Sequence, residues 1–283
     1  MTTANSIESS SRSFTSKNGM TCRRIRFVAD TPVGAEVVAR FVDPRAAAAV
    51  AEPIDLPSFQ KAAQWPEPLD QLDIVVSLSF PAPDAAASEW LNPPDHVDSP
   101  LPVSIAFGRG RITWRPGRAL IEGVPLRAEL LEALVQFAFY ESELRRLEAA
   151  VLPFEASASA DASGAYRIES GTRANWSRFG EAMESLALLR LAFARLEPRL
   201  LSPSRRLFRQ LCRRAAIEDR LSAITDRSEA CEDLYEGAVD RLREHRWYRR
   251  GNLLEMIIIV LLLIEVIQLG GDTALRWIHG FIH

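Results

Sequence analysis

An apolar run near the C-terminus constrains this chain more than any other feature. Residues 253–269 read LLEMIIIVLLLIEVIQL, seventeen residues of which fourteen are apolar. At a rise of about 1.5 Å per residue, a helix of this run is roughly 25 Å long, the short end of what a bilayer core requires. The alternative is a buried core helix of a soluble protein, but such helices seldom lack a polar face over this length. The run predicts a single transmembrane helix over residues 252–270, with these anchor residues: Leu254, Glu255, Ile264, Glu265 and Val266.

Charges on either side of the run predict its orientation. Only Arg276 follows it, whereas five arginines lie just before it: Arg241, Arg243, Arg246, Arg249 and Arg250. Because basic residues stay on the cytoplasmic side, we expect a single-pass protein of the inner (cytoplasmic) membrane, with membrane lipid as a partner. The N-terminus is then cytoplasmic and the C-terminus outside, with residues 271–283 as a tail at the outer interface.

Glu265 is the one acid of the run that could act within a membrane. An acid there is a functional candidate by default, for example as a polar contact between the helices of several copies. It lies about one turn from the end of the run, so the alternative is a carboxylate that reaches the interface or takes up a proton.

The N-terminal half reads as strands and loops. Residues 1–21 are predicted to be a disordered tail, and residues 22–125 a small β-rich α+β domain. Its strands are expected at residues 22–29, 72–80 and, as a three-strand meander, 103–124. Residues 45–51 are rich in alanine and predict a short helix.

The C-terminal half reads as helices. Apolar residues at helical spacing predict a helical hairpin over residues 126–200, followed by a coiled stalk helix over residues 201–251. The stalk carries apolar residues at heptad spacing, which form a seam against another copy of the chain or against the hairpin of its own chain. The first case makes the protein a homo-oligomer. The seam consists of Ile217, Leu221, Ile224, Cys231, Tyr235 and Leu242, with weak positions at Ser228 and Ala238.

Residues 217–270 resemble the required-for-meiotic-nuclear-division family of membrane proteins. Those proteins end in a coiled segment, a basic stretch, Leu-Glu-Trp, an apolar run and Ile-Glu-Val. Here Leu254-Glu255-Met256 and Ile264-Glu265-Val266 stand at that spacing, with Met256 in place of the tryptophan. The resemblance covers about a fifth of the chain, and it implies a membrane-anchored, oligomeric, non-enzymatic protein.

Two clusters could bind a ligand. The first could hold a hard divalent cation but equally suits a solvated loop; it consists of Asp84, Asp95, His96 and Asp98. The second is either a patch for RNA, a ribosome or anionic lipid, or a half-buried hairpin with a solvated arginine face. It consists of Arg109, Arg111, Trp114, Arg115 and Arg118.

No catalytic motif stands out among the four histidines and three cysteines. The sequence therefore predicts a membrane-anchored, non-enzymatic scaffold without a cofactor, whose cytoplasmic domain recruits a protein or a ribonucleoprotein. The alternatives are a homo-oligomeric channel with Glu265 between its helices, and a membrane-tethered enzyme.

Overall fold

The computed structural model describes residues 20–54, 70–78, 90–91, 102–163 and 171–280. The side chains of residues 53, 161–163, 171–175 and 266–280, and of several positions between 238 and 249, lie outside that description. The chain divides into two compact units, which are Met1–Pro153 with Arg178–Ser228, and Phe154–Ser177 with Glu229–His283.

The described strands of the first unit form one seven-stranded mixed sheet. Their order across the sheet is β2-β3-β1-β4-β7-β6-β5, and neighbouring strands are antiparallel except for the parallel pair β4 and β7. This order makes β2 and β5 the two edge strands. The strands are β1 Met20–Val28, β2 Glu36–Phe41, β3 Ala47–Pro53, β4 Gln71–Ser77, β5 Val103–Phe107, β6 Gly110–Arg115 and β7 Arg118–Glu122.

Helices follow the sheet in the chain. They are α1 Ala128–Ser163, α2 Gly171–Arg199, α3 Ser204–Arg214 and α4 Ile217–Gly280. Helix α1 contacts α2 through Tyr140 and Phe193, whose ring centroids are 5.7 Å apart. The sheet and these helices give the α+β class that the sequence predicts.

Buried side chains lie on both faces of the sheet, because side chains alternate along each strand. On one face, Trp114 of β6 and Phe137 of α1 make an edge contact with ring centroids 4.8 Å apart. Phe137 in turn contacts Phe208 of α3 at 6.1 Å, so α1 and α3 lie on this face. The opposite face packs against two helical residues, Trp90 and Leu91, in a cluster that also contains Met20, Cys22, Val75 and Leu120.

The structure corrects the predicted transmembrane helix. No helix in the part of the chain that the structure describes is long and apolar enough to cross a membrane. Three further predictions depend on that helix and are not supported by the described structure: the single-pass topology, the orientation and the inner-membrane location. Of the predicted anchor residues, Leu254, Glu255, Ile264 and Glu265 are exposed, and the side chain of Val266 lies outside the description.

Two further predictions differ from the structure. The alanine-rich segment is strand β3 and not a helix, because it pairs with β1 on one side and β2 on the other. Ala47, Ala48 and Ala49 are at most 6% exposed there, and burial between two strands outweighs the helix propensity of alanine. Of the predicted N-terminal tail, residues 1–19 lie outside the described residues, while Met20 and Thr21 belong to β1.

The heptad seam is buried within this one chain. Its described members are between 0% and 7% exposed: Ile217, Leu221, Ile224, Cys231 and Tyr235. In the second unit, the rings of Tyr235 and Trp176 make an edge contact at 5.4 Å. The side chain of Leu242 lies outside the description. The described seam residues are therefore buried by the chain itself. The homo-oligomer stays a prediction, and it would have to form through a different surface.

Candidate functional site

The residues of the predicted basic patch do not share one surface. Arg109 and Arg111 are exposed, on the turn between β5 and β6 and at the start of β6. Trp114 is 3% exposed on the face that α1 covers. Arg115 and Arg118 are 3% and 4% exposed on the opposite face. The β6–β7 hairpin therefore divides this group between the solvent and two buried layers.

Arg115 and Arg118 hold the helical residues that cover their face of the sheet. Arg115 donates from Nη1 to the carbonyl oxygen of Leu91 at 2.8 Å, and Arg118 donates to the carbonyl oxygen of Trp90. The guanidinium of Arg118 also lies 5.3 Å from the centre of the Trp90 ring, a cation–π contact. Both arginines therefore have an evident structural role.

A buried ion pair lies in the same layer. Arg24 of β1 donates to both carboxylate oxygens of Asp73 on β4, at 2.7 and 3.0 Å. Gln71 donates to Asp73 as well, at 3.0 Å. Burial, and then the charge of Asp73, raises the pKa of the neighbouring Cys22 thiol to about 11. Cys22 is consequently a protonated, unreactive thiol at neutral pH.

The predicted metal cluster lies outside the described residues, since Asp84, Asp95, His96 and Asp98 all fall in residues 79–89 and 92–101. Within the residues that are described, no three side chains of His, Cys, Asp or Glu come together as a metal site. Glu265 is exposed at the end of the described apolar run.

The structure brings a different group of basic residues together, in a groove between strand β5 and helix α3. The groove has a volume of about 640 Å³. One wall is the edge strand β5, and the other is one side of α3. The lining residues are Ser104, Ile105, Ala106, Arg206, Gln210, Arg213 and Arg214.

The sequence of α3, SRRLFRQLCRR, explains why arginines line this groove. Leu207, Phe208 and Leu211 are at most 2% exposed, and they dock the helix on the first unit. Positions i, i+4, i+7 and i+8 lie on one side of a helix. Arg206, Gln210, Arg213 and Arg214 have that spacing, and all three arginines are exposed.

The other two arginines of α3 have partners near the end of α2. Arg205 donates to the carbonyl oxygens of Glu197, Pro198 and Leu200 at 2.8 to 3.0 Å. Arg209 donates to the carboxylate of Glu197. By contrast, none of the ion pairs among the described residues includes Arg206, Arg213 or Arg214. Three positive charges of the groove thus lack a carboxylate in this part of the chain.

Strand β5 adds backbone groups to the groove. Its inner edge pairs with β6 from Val103 opposite Trp114 to Phe107 opposite Gly110. Within the described residues no strand pairs with its outer edge. An edge strand directs unpaired N–H and C=O groups outward at every second residue. Arginine side chains and an open strand edge can therefore both reach a ligand in this groove.

The lining chemistry suits an anionic ligand. Guanidinium groups pair with carboxylates or phosphates through charge-assisted hydrogen bonds. Among the described residues, the lining contains no aromatic side chain and no His, Cys, Asp or Glu. The described lining can therefore bind a negative charge and a polar backbone.

None of the site residues predicted from the sequence lies in this groove, although the sequence carries a signal for it. Residues 204–214 contain five arginines and no acid in a chain whose net charge is −3. Helical spacing separates them from the buried residues of the same helix. Only the fold places this side of α3 beside an edge strand.

Searches with models of known protein families and against well-characterised proteins found no match to this chain. The resemblance of residues 217–270 to the required-for-meiotic-nuclear-division family stays an expectation from those residues alone.

Proposed function

We propose that this protein is a non-enzymatic scaffold that recruits a partner protein by binding an extended acidic segment of it in the groove between β5 and α3. One observation carries the proposal. Three arginines that have no carboxylate partner among the described residues lie beside the outer edge of β5, which no described strand pairs with. Addition of a strand to an open sheet edge is a recurrent mode of peptide recognition, in which the backbone supplies affinity and the side chains supply specificity.

An acidic peptide fits the groove better than a single-stranded nucleic acid does. Proteins that bind single strands combine basic residues with aromatic side chains on which the bases stack. The groove has the basic residues but no aromatic side chain among its described lining residues. The outer edge of β5, which no described strand pairs with, is a surface for another peptide backbone and adds little to phosphate binding.

A second copy of the same strand is also a poorer occupant. Pairing β5 with β5 of another copy would bring Arg206, Arg213 and Arg214 of both copies into one place. Like charges brought together in an interface oppose binding. Charge complementarity therefore favours a partner whose segment supplies carboxylates.

A direct test measures peptide binding by fluorescence anisotropy with the full chain. A mild detergent shields the exposed apolar run at residues 253–264 from aggregation. The probe is a labelled peptide of eight aspartates, and the matched peptide of eight asparagines is the neutral control. We expect the acidic peptide to bind, and to bind more weakly as the salt concentration rises.

The matched variants are Arg206→Gln/Arg213→Gln/Arg214→Gln and, as control, Arg209→Gln on the same helix but outside the groove. An exposed charge pair contributes about 0.2–1 kcal/mol, so the loss of three should weaken binding of the acidic peptide by roughly threefold to a hundredfold. Arg209→Gln should bind as the wild type does. Equal binding by the triple variant and the wild type, or no preference for aspartate over asparagine, would overturn the proposal.

A further inference from the structure

Resting on the proposed function, we infer that the partner segment carries acidic side chains at alternate positions, as in Asp-x-Asp-x-Asp, all facing helix α3. In this arrangement Arg206 pairs with the acidic side chain at one end of the pattern, and Arg213 and Arg214 pair with the one at the other end. The inference concerns the sequence pattern that the groove selects, beyond its preference for negative charge.

The two faces of the sheet differ at β5. Ile105 lies opposite Ile112 in register, and Ile112 shares its face of β6 with Trp114, because side chains two residues apart point the same way. That face is the one covered by α1 and α3. A strand added beside β5 would therefore turn every second side chain toward the arginines of α3.

On the opposite face, the side chains of β5 itself are small and uncharged. Ser104 and Ala106 are exposed there, opposite Thr113 and Arg111 of β6. The Oγ of Ser104 lies 3.4 Å from the Oγ1 of Thr113. Arg111 is paired in register with Glu122, a residue of opposite charge on the same face of β7. This face suits small polar residues, so acids that point to it would gain less than acids that point to α3.

The spacing along α3 matches alternate residues of a strand. Arg206 and Arg213 are seven residues apart, or about 10.5 Å along the helix axis, and Arg214 is at about 12 Å. In an extended strand, side chains at i, i+2 and i+4 lie on one side and span about 13 Å. On a strand that runs alongside α3, three alternate acids cover the distance between the two ends of the arginine set, whereas a continuous block of acids turns half of its charges away.

The test compares two eight-residue peptides that each contain four threonines and four aspartates. One alternates as (Thr-Asp)₄, and the other has the block Thr-Thr-Asp-Asp-Asp-Asp-Thr-Thr. The alternating peptide places four aspartates on one side of a strand and the block places two, while composition and net charge are the same. We expect the alternating peptide to bind the full chain roughly tenfold more tightly.

Variants assign this preference to the arginines. Both Arg206→Gln and Arg213→Gln/Arg214→Gln should reduce the ratio of the two affinities toward one, whereas Arg209→Gln should leave the ratio unchanged. Two N-methylated versions of the alternating peptide test the strand pairing. One version is methylated on the threonine amides, and the other on the aspartate amides. One of these two versions should lose binding, because methylation removes the backbone donors that face β5.

The outcomes separate the alternating pattern from the proposed function on which it rests. Equal affinity of the two peptides, or tighter binding of the block, overturns the alternating pattern and leaves the proposed function standing if eight aspartates still bind. Retained binding by both N-methylated versions overturns strand pairing at β5. Failure of eight aspartates to bind overturns the proposed function and this inference with it.

Discussion

Arg220 of helix α4 holds Glu148 of helix α1 through two parallel hydrogen bonds, from Nε to Oε1 at 2.8 Å and from Nη2 to Oε2 at 2.7 Å. Arg220 also donates from Nη1 to Glu141 at 3.2 Å, and Arg145 donates to the same carboxylate at 3.0 Å. Glu141 is 1% exposed, so its charge depends on these two arginines. This network ties the start of α4 to α1 within the first unit.

Removing the central arginine of that network should destabilise the first unit. Loss of one partner from a buried ion pair costs about 3–5 kcal/mol, but solvent screens part of this interaction because the Arg220 side chain is 26% exposed. We expect Arg220→Gln to lower the free energy of unfolding by about 2 kcal/mol, measured by urea titration. The exposed pair of Arg209 and Glu197 provides the control, and Arg209→Gln should cost less than about 1 kcal/mol. Similar losses in the two variants would contradict this account of the network.

The buried carboxyl of Glu141 should make stability depend on pH. Burial raises its pKa above the ordinary value of 4.5, against the opposing effect of Arg145 and Arg220. Between 4.5 and the raised pKa, the folded state binds more protons at this site than the unfolded state does, so this contribution to stability falls as the pH rises. Relative to Glu141→Gln, the wild type should therefore lose stability across that window in urea titrations. A relative gain of stability with pH would show that the pKa of Glu141 is lowered instead.

Two glycines in the β5–β6 turn should respond differently to alanine. A Cβ on Gly110 would lie 2.0 Å from the carbonyl oxygen of Glu122 and 2.6 Å from a methyl group of Val124. Gly108 has φ +60 but nothing within 4 Å of the same position. We expect Gly108→Ala to cost about 1 kcal/mol through backbone strain, and Gly110→Ala about 3 kcal/mol or more because β7 would have to move. Thermal unfolding of the two variants measures the difference, and equal melting temperatures would contradict it.

Much of the fold follows from local sequence patterns. The strands near residues 22–29, 72–80 and 103–124 are predicted from alternation and turn residues, and β1, β4, β5, β6 and β7 lie there. Strand β3 is missed because alanine favours a helix until two neighbouring strands pair with it. The predicted transmembrane helix rests on local hydropathy, and no helix in the described part of the chain is long and apolar enough to cross a membrane.

The candidate site depends on tertiary structure. Arg115 and Arg118 stand in a basic sequence beside a tryptophan, but the fold uses both to hold Trp90 and Leu91. Arg206 and Ser104 are about a hundred residues apart in the chain, and only the packing of α3 near the end of the sheet places them in one groove. A single sequence shows the arginines of α3 but not the open strand edge beside them.

The seam cysteine should not link two copies of the chain. Cys231 is 2% exposed, and burial, together with the charge of Glu155, raises the pKa of its thiol. A buried protonated thiol reacts slowly with oxidants. We therefore expect mild oxidation of the native protein to leave Cys231 reduced and to form no dimer through it on a non-reducing gel. A covalent dimer that disappears in Cys231→Ser would show that the seam opens to a second copy.

The central claim is that an acidic segment pairs with the outer edge of β5, and amide hydrogen exchange at residues 103–107 tests it most directly. In the free protein, about every second amide of β5 should exchange fast, because its N–H group points to the open edge. Saturation with (Thr-Asp)₄ should slow these amides by about tenfold or more, since they gain a hydrogen-bond partner. The Arg206→Gln/Arg213→Gln/Arg214→Gln variant should show no such change at the same peptide concentration. Binding of the peptide to the wild type with unchanged exchange along β5 would contradict the account.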